Sequence, residues 1–322
     1  EQDINLFLRA WNQMNNTKEC IYVGYDSTNF NTNAYGIELA DYGHPKVDEG
    51  LPQYNLAYAV NQKDSTPLFY ELYDGSVIDN TELEIMLEEA KEFGHEKLGV
   101  LMDRGYISEK NIKALRTKGY EYILMMKQNQ RICQEIIEEY GAAVQSLEGY
   151  YIGEHGVYGT TVKKQLYGQE TNIHVYYDDI RASEEKVALM SRYETWEKEI
   201  EKKVAKRIAT EGEMKKYRKV FKLKYDQNGY LVAYQRNSRY IKEEIRNLGF
   251  FFIMTSEDMS ASKALDIYRG RDNIEKMFRS LKSGIDFNKA RVHTTESLKS
   301  KVFVTFIAMI VRNELFQKAE EL

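Results

Sequence analysis

Apolar and polar positions alternate through CIYVGYDST, with Ile21, Val23 and Tyr25 on one side and Tyr22, Gly24 and Asp26 on the other. A two-residue period of this kind predicts a half-buried strand. AYGIELADYG and the stretch from Tyr54 to Tyr73 supply two further strand candidates, giving a meander of antiparallel character. The period then lengthens. Asp79 opens a helix with Glu82 completing a capping box, Leu83, Met86, Leu87, Ala90 and Phe93 form its apolar stripe, and Gly94 ends it. KLGVLMDRGY is a short apolar strand ending at Asp103. Ser108 caps a helix through Lys118, Gly119 stops it, and YEYILMM is the next buried strand. Three strands, a helix, a strand, a helix and a strand predict a mixed α/β sheet with helical crossovers.

The pattern changes from about Lys127 to Leu248. Short strand-like runs (YGTTVKKQLYG, NIHVYYDD) precede a long charged helix from about Ser183 to Ile208, and VFKLKYDQNGYLVAYQRN reads as a hairpin turning at Asn228-Gly229. GFFFIMTS is one more buried strand, Ser260 caps the helix after it, and a last amphipathic helix runs from about Thr295 to Lys318. The expected organisation is an N-terminal helix over 1–18 left from an upstream domain, a first core segment over 19–126, an inserted α+β subdomain over 127–248, and a second core segment over 249–322. The chain begins with Glu rather than Met, which fits a missing upstream region.

Residues 267–282, IYRGRDNIEKMFRSLK, carry two patterns at once. On one continuous helix, Tyr268, Arg271, Glu275, Arg279 and Lys282 fall within an arc of about 80°. Ile267, Ile274, Met277, Phe278 and Leu281 occupy a neighbouring apolar arc. The ordinary reading of the polar arc is a solvated face with i,i+4 ion pairs.

Composition narrows the class. The 322 residues, 43% hydrophobic and 30% charged with three prolines, are ample for a sizeable core. Cys20 and Cys133 make neither a disulfide framework nor a metal-ligand spacing, which fits a reducing cytosol. The longest apolar run, around Val302 to Val311, is shorter than a membrane span, so no membrane partner is expected. A net charge of −5 argues against a simple nucleic-acid binder, so charge has to be read locally.

Three acidic residues then stand out. Asp26 and Asp103 end strands, where α/β folds place their sites, and Glu275 lies on the helical stretch. Adjacent first and fourth strands would bring the two aspartates to one edge, with Glu275 laid across from them. Three such oxygen ligands suit Mg²⁺ or Mn²⁺, and two ions about 4 Å apart would serve phosphodiester chemistry. Each aspartate taken alone reads equally well as a turn former.

Taken together, the residues resemble a known family. The spacing Y-x2-R-x3-E-x6-K, met by Tyr268, Arg271, Glu275 and Lys282, matches the tyrosine-arginine-glutamate-lysine motif of bacterial insertion-sequence DDE transposases. GYDSTNF and LMDRGYIS resemble that family's two aspartate blocks, and ARVHTTESLKSKVFVTFIAMIV resembles the stretch after its glutamate helix. The resemblance covers about residues 20–315. It implies a ribonuclease-H-like α/β fold, a mixed sheet flanked by helices with a strand-rich inserted subdomain. It implies Asp26, Asp103 and Glu275 as catalytic, metal-binding residues for two Mg²⁺ (or Mn²⁺) ions. Tyr268, Arg271 and Lys282 would hold DNA backbone phosphates, with Lys276 and Arg279 as further candidates. The implied activity is cut-and-paste transposition: metal-dependent cleavage at transposon ends, then 3′-OH strand transfer. The implied partner is double-stranded DNA, both terminal repeats and target, bound by a dimer when two ends are synapsed. The implied location is the bacterial cytoplasm, at the nucleoid.

Two rival readings remain at this point: another nuclease on the same fold, and an inactive relative kept as a DNA-binding or regulatory protein. Trp196 reads as core packing more readily than as a base-stacking residue. The basic run from Lys202 to Lys224 reads as a DNA track or, nearly as well, as a solvated face. His44, His95, His155, His174 and His293 form no ligand spacing.

Overall fold

The computed structural model describes residues 2–16, 20–42, 50–77, 79–95, 97–102, 107–146, 150–206, 211–279, 281–282 and 291–320. In chain order the elements are α1 (Gln2–Asn15), β1 (Ile21–Asn31), β2 (Gln53–Asn61), β3 (Pro67–Asp74), α2 (Asp79–Glu92), β4 (Leu98–Met102), α3 (Glu109–Lys118), β5 (Glu121–Met125) and α4 (Arg131–Ser146). They continue with β6 (Tyr151–Ile152), β7 (Val157–Leu166), β8 (Gln169–Tyr177), α5 (Asp179–Lys206), β9 (Phe221–Tyr225), β10 (Leu231–Arg236), α6 (Ser238–Arg246), β11 (Phe250–Thr255), α7 (Ala261–Arg269), α8 (Asp272–Arg279) and α9 (Thr295–Glu320). The chain divides into two compact units, one of residues 1–127, 161–174 and 253–322, the other of residues 128–160 and 175–252.

The first unit is a mixed sheet flanked by helices. Its strands run in the order β3-β2-β1-β4-β5-β11. β1 to β3 form an antiparallel meander, β4 lies parallel to β1, and β5 lies parallel to β4. On β3, Phe69 meets Phe93 at the end of α2, and its neighbour Tyr70 meets Phe306 of α9. Successive strand residues point to opposite faces, so helices cover both sides of the sheet. The expected adjacency of the first and fourth strands is met, with Gly24 paired to Leu101.

Several local expectations hold. Ser108 caps α3 by accepting from the Asn111 backbone N–H, and Ser260 caps α7 by accepting from that of Lys263. Gly119 ends α3 in the left-handed region at φ 75°. Met86, Leu87, Ala90 and Phe93 are buried, whereas the side chains of Asp79, Glu82 and Leu83 lie outside the described residues.

The meander differs from expectation. Among its described residues, 34–42, AYGIELADYG holds no strand but the isolated bridges Gly36 to Thr294 and Asp41 to Gln53. Residues 53–74 instead supply two strands. The turn between them combines backbone bonds, Ser65 N–H to the Asn61 carbonyl and Asn61 N–H to the Thr66 carbonyl, with side-chain ones, since Asn61 Oδ1 accepts from the Lys63 backbone N–H and Asp64 Oδ1 from that of Thr66. Asx turns of this kind reverse a chain without glycine or proline.

The second unit carries α4, α6 and the body of α5, together with the hairpin β9–β10, which turns through Asn228-Gly229 as expected. α5 starts at Asp179, four residues before the expected Ser183, and is described through Lys206. Tyr193, Ile200, Met214, Tyr217, Phe221 and Leu231 form its core, with Trp196 packed against them 5.6 Å from the Tyr217 ring.

Two buried features of the first unit carry consequences. His174 takes Thr161 Oγ1 at 2.8 Å on Nδ1 and Thr255 Oγ1 at 3.0 Å on Nε2. Thr255 gives its hydroxyl proton to the Glu257 carbonyl, so the His174 Nε2–H donates and Nδ1 accepts, which describes a neutral ring. Burial lowers His174 to about 4, and it does the same to His95, which bonds Asn12 at 2.7 Å. Between pH 4 and 6.5 the unfolded chain therefore binds more protons at these rings than the folded one, so their contribution to stability is lost as pH falls through that window. We expect the melting temperature of His174→Gln to fall less steeply from pH 6.5 to 4 than that of the parent protein. Parallel slopes would show that the ring does not titrate on unfolding.

Tyr58 is fully buried beside Phe278 and Phe306, and its hydroxyl has no hydrogen-bond partner among the described residues. A buried unpaired hydroxyl opposes folding. Tyr58→Phe should therefore leave the melting temperature unchanged or raise it by about 1–3 °C in a thermal scan. A loss of several degrees would reveal a partner for that oxygen.

Candidate functional site

β1 supplies the floor of the site. Its two-residue repeat sets positions 24, 26, 28 and 30 in one register, and position 26 pairs across the sheet with Tyr58 of β2. Gly24 and Leu101, each two residues before one of the two aspartates, are direct partners in the parallel β1–β4 pair. β4 ends at Met102; Asp103 and the Asp26 side chain lie outside the described residues.

α8 lies across this floor. A Cβ built on Gly24 would stand 3.7 Å from Ile274 Cβ, an ordinary contact, so the helix rests where the strand has no side chain. Ile274, Met277, Phe278 and Leu281 are buried, as the apolar arc predicts. Beyond the helix, Lys282 Nζ donates to Thr28 Oγ1 at 2.7 Å and stands 5.3 Å from the centre of the Phe30 ring. Both ends of the glutamate-bearing segment therefore touch β1, on either side of position 26.

The expectation of one continuous helix over 267–282 is corrected. α7 stops at Arg269 and α8 starts at Asp272. At the junction, the Arg271 N–H donates to the Tyr268 carbonyl and the Ile274 N–H to the Arg271 carbonyl, both three residues back rather than four. At this junction the chain passes close to the residue after β2: a Cβ at Gly270 would lie 1.9 Å from Gln62 Nε2. The break rotates the two halves. Tyr268 is turned inward and only 8% exposed, while Ile267, assigned to the apolar arc, is half-buried.

The polar residues of the segment are arranged as follows. Arg271 Nη2 bonds Glu275 Oε1 at 2.6 Å, and its guanidinium lies 6.0 Å from the centre of the Tyr268 ring. The Glu275 side chain is 48% exposed, the Arg271 side chain 17%. Lys276 and Arg279 are exposed on α8, and Lys282 is half-buried against β1. Several cations thus stand close in the chain to one candidate ligand carboxylate. Among the described residues no group of three or more His, Cys, Asp or Glu is disposed to hold a metal ion. Glu275, the described member of the expected carboxylate set, presents an accessible hard-oxygen donor of the kind a divalent ion takes.

Thr28 and Phe30 went unremarked in the sequence. The signal was present: both follow Asp26 at the strand period in DSTNF, so extending the CIYVGYDST strand by two residues places both on its face.

A family model described as Transposase DDE domain matches residues 23–311, a span that includes Asp26, Asp103, Tyr268, Arg271, Glu275 and Lys282. No curated protein matches the chain. Among solved structures it is similar to the piggyBac transposase synaptic complex with hairpin DNA, at 8% identity and a TM-score of 0.45, covering 95% of this chain and 48% of that one. It is also similar to the Mos1 transposase paired-end complex with the left transposon end, at 14% identity and a TM-score of 0.24, covering 37% of this chain and 39% of that one. The chain spans about half the length of the piggyBac chain and less of the Mos1 chain.

Proposed function

Because the chain belongs to the Transposase DDE domain family, we propose that it is a cut-and-paste transposase of the bacterial insertion-sequence type, cleaving DNA at transposon ends and joining the freed 3′-OH to target DNA. The observation that supports this reading most is the seating of the Glu275 segment on β1. Ile274 rests at Gly24 and Lys282 at Thr28, with Asp26 between them in the strand register.

In this reading Asp26, Asp103 and Glu275 hold two Mg²⁺ or Mn²⁺ ions. Their carboxylate oxygens suit such ions, and the pairing of Gly24 with Leu101 sets the two aspartate-bearing strands side by side. Bound there, the ions supply activation of the attacking oxygen and neutralisation of charge on the phosphodiester. The remaining work belongs to the chain. Arg271 offers a planar fork to phosphate oxygens and Lys282 a point charge, and Lys276 and Arg279 extend the row of donors along α8. The Tyr268 phenol would hold a further phosphate oxygen, from a side chain that is only 8% exposed with its ring centre 6.0 Å from the Arg271 guanidinium. To reach a phosphate, Arg271, whose side chain is only 17% exposed, would turn from Glu275 and so release the carboxylate as a ligand.

The remainder of the reading follows from the chemistry. Terminal-repeat and target DNA are the partners, a dimer forms when two ends are synapsed, residues 127–248 act as the inserted subdomain, and the protein works in the cytoplasm at the nucleoid.

The test is cleavage and strand transfer with end-bearing DNA in Mg²⁺. Glu275→Ala should lower cleavage by about 10³-fold or more while end binding without metal changes little. Retained cleavage would remove Glu275 from the ligand set. Cleavage without strand transfer would mark a nuclease on the same fold, and binding without either would mark an inactive relative. Lys282→Ala should weaken end binding and lower the slope of log K against log salt by about one. An unchanged slope would show that Lys282 contacts no phosphate.

A further inference from the structure

Lysine is a poor positioning device by itself, because four rotatable bonds leave its ammonium free over a wide volume. Lys282 is not left in that condition. Thr28 Oγ1 accepts from Nζ at 2.7 Å, and the face of Phe30 lies 5.3 Å away. Thr28 itself is buried, and a β-branched side chain on a strand has little χ1 freedom, so the accepting oxygen is a fixed point. The Thr28 position is two residues, about 7 Å, along the strand from Asp26.

We propose that Thr28 is a positioning residue for the transposase reaction: its hydroxyl sets the Lys282 ammonium at the height of the carboxylate site, so that the phosphate Lys282 grips is the one presented to Asp26, Asp103 and Glu275. This rests on the transposase reading above. Lys282 supplies the charge and Thr28 its address. Loss of the hydroxyl leaves the charge available for binding but displaces the phosphate, and misplacement of about 1 Å is enough to cost about a hundredfold in rate.

The experiment compares Thr28→Val, which keeps the shape and removes the acceptor, with Thr28→Ser, which keeps the acceptor. Thr28→Val should cleave end-bearing DNA about 10- to 100-fold more slowly at saturating DNA. Its metal-free end affinity should stay within about threefold of the parent, and its salt slope should be unchanged, because Lys282 is still present. Thr28→Ser should cleave within about threefold of the parent. A parent-like rate in Thr28→Val, or a Thr28→Ser as slow as Thr28→Val, would overturn the proposal, as would a slope lowered in Thr28→Val as in Lys282→Ala. Should the parent protein bind ends without cleaving them, the transposase reading has failed. The proposal is then decided separately by the resonance of ¹³C-methylated Lys282 in the DNA complex. It should move in Thr28→Val and not in Thr28→Ser, and coincidence of the Thr28→Val and parent resonances would overturn it.

Discussion

The absence of a side chain at Gly24 lets α8 come down onto β1. A Cβ there would already touch Ile274 at 3.7 Å, and a longer side chain would lift the helix and with it Glu275 and Lys282. The rest of the site depends on that contact. Phe278 then reaches Tyr58, Leu281 is buried, and Lys282 arrives over Thr28 and Phe30. The parallel β1–β4 pair adds a second constraint, because it sets Gly24, within β1, beside Leu101 near the end of β4.

Charge is distributed to the same end. The chain is acidic in total, yet Arg271, Lys276, Arg279 and Lys282 follow one another along a short segment. Net charge governs behaviour at long range, whereas the field at a site is set by the few groups within a Debye length, about 8–10 Å at physiological salt. The Arg271–Glu275 pair keeps a cation and a carboxylate together, Glu275 half exposed and Arg271 largely covered.

What could be read from the sequence was whatever is decided by near neighbours. The strand in CIYVGYDST, the serine caps at Ser108 and Ser260 and the Asn228-Gly229 hairpin each involve a few consecutive residues and each is found in place, though β1 is buried on both faces and not half-buried. The turn between β2 and β3 was missed because Asn61 and Asp64 side chains help to make it, in a stretch without glycine or proline. The break after Arg269 falls at Gly270, a residue that weakens a helix from within, while its close neighbour Gln62 is remote in the chain and adjacent only once the sheet has formed. The helical spacing puts Tyr268 on one polar face with Arg271 and Glu275, whereas it is only 8% exposed. Thr28 acquires its meaning only from a partner 254 residues away.

That separation has a consequence for synthesis. β1, β2 and β4 can pair once roughly the first hundred residues have left the ribosome, but the segment that covers β1 is made more than about 150 residues later. At about 5–20 residues per second, Gly24, Thr28, Phe30 and Tyr58 wait on the order of ten seconds or more without their covering helix. Contacts of such long sequence separation form late, since the entropy of closing the loop must be met before they contribute. During that interval the nascent chain presents an apolar sheet face, so chaperone demand should be greatest before residue 274 emerges, and any truncation ahead of it would leave this face permanently uncovered.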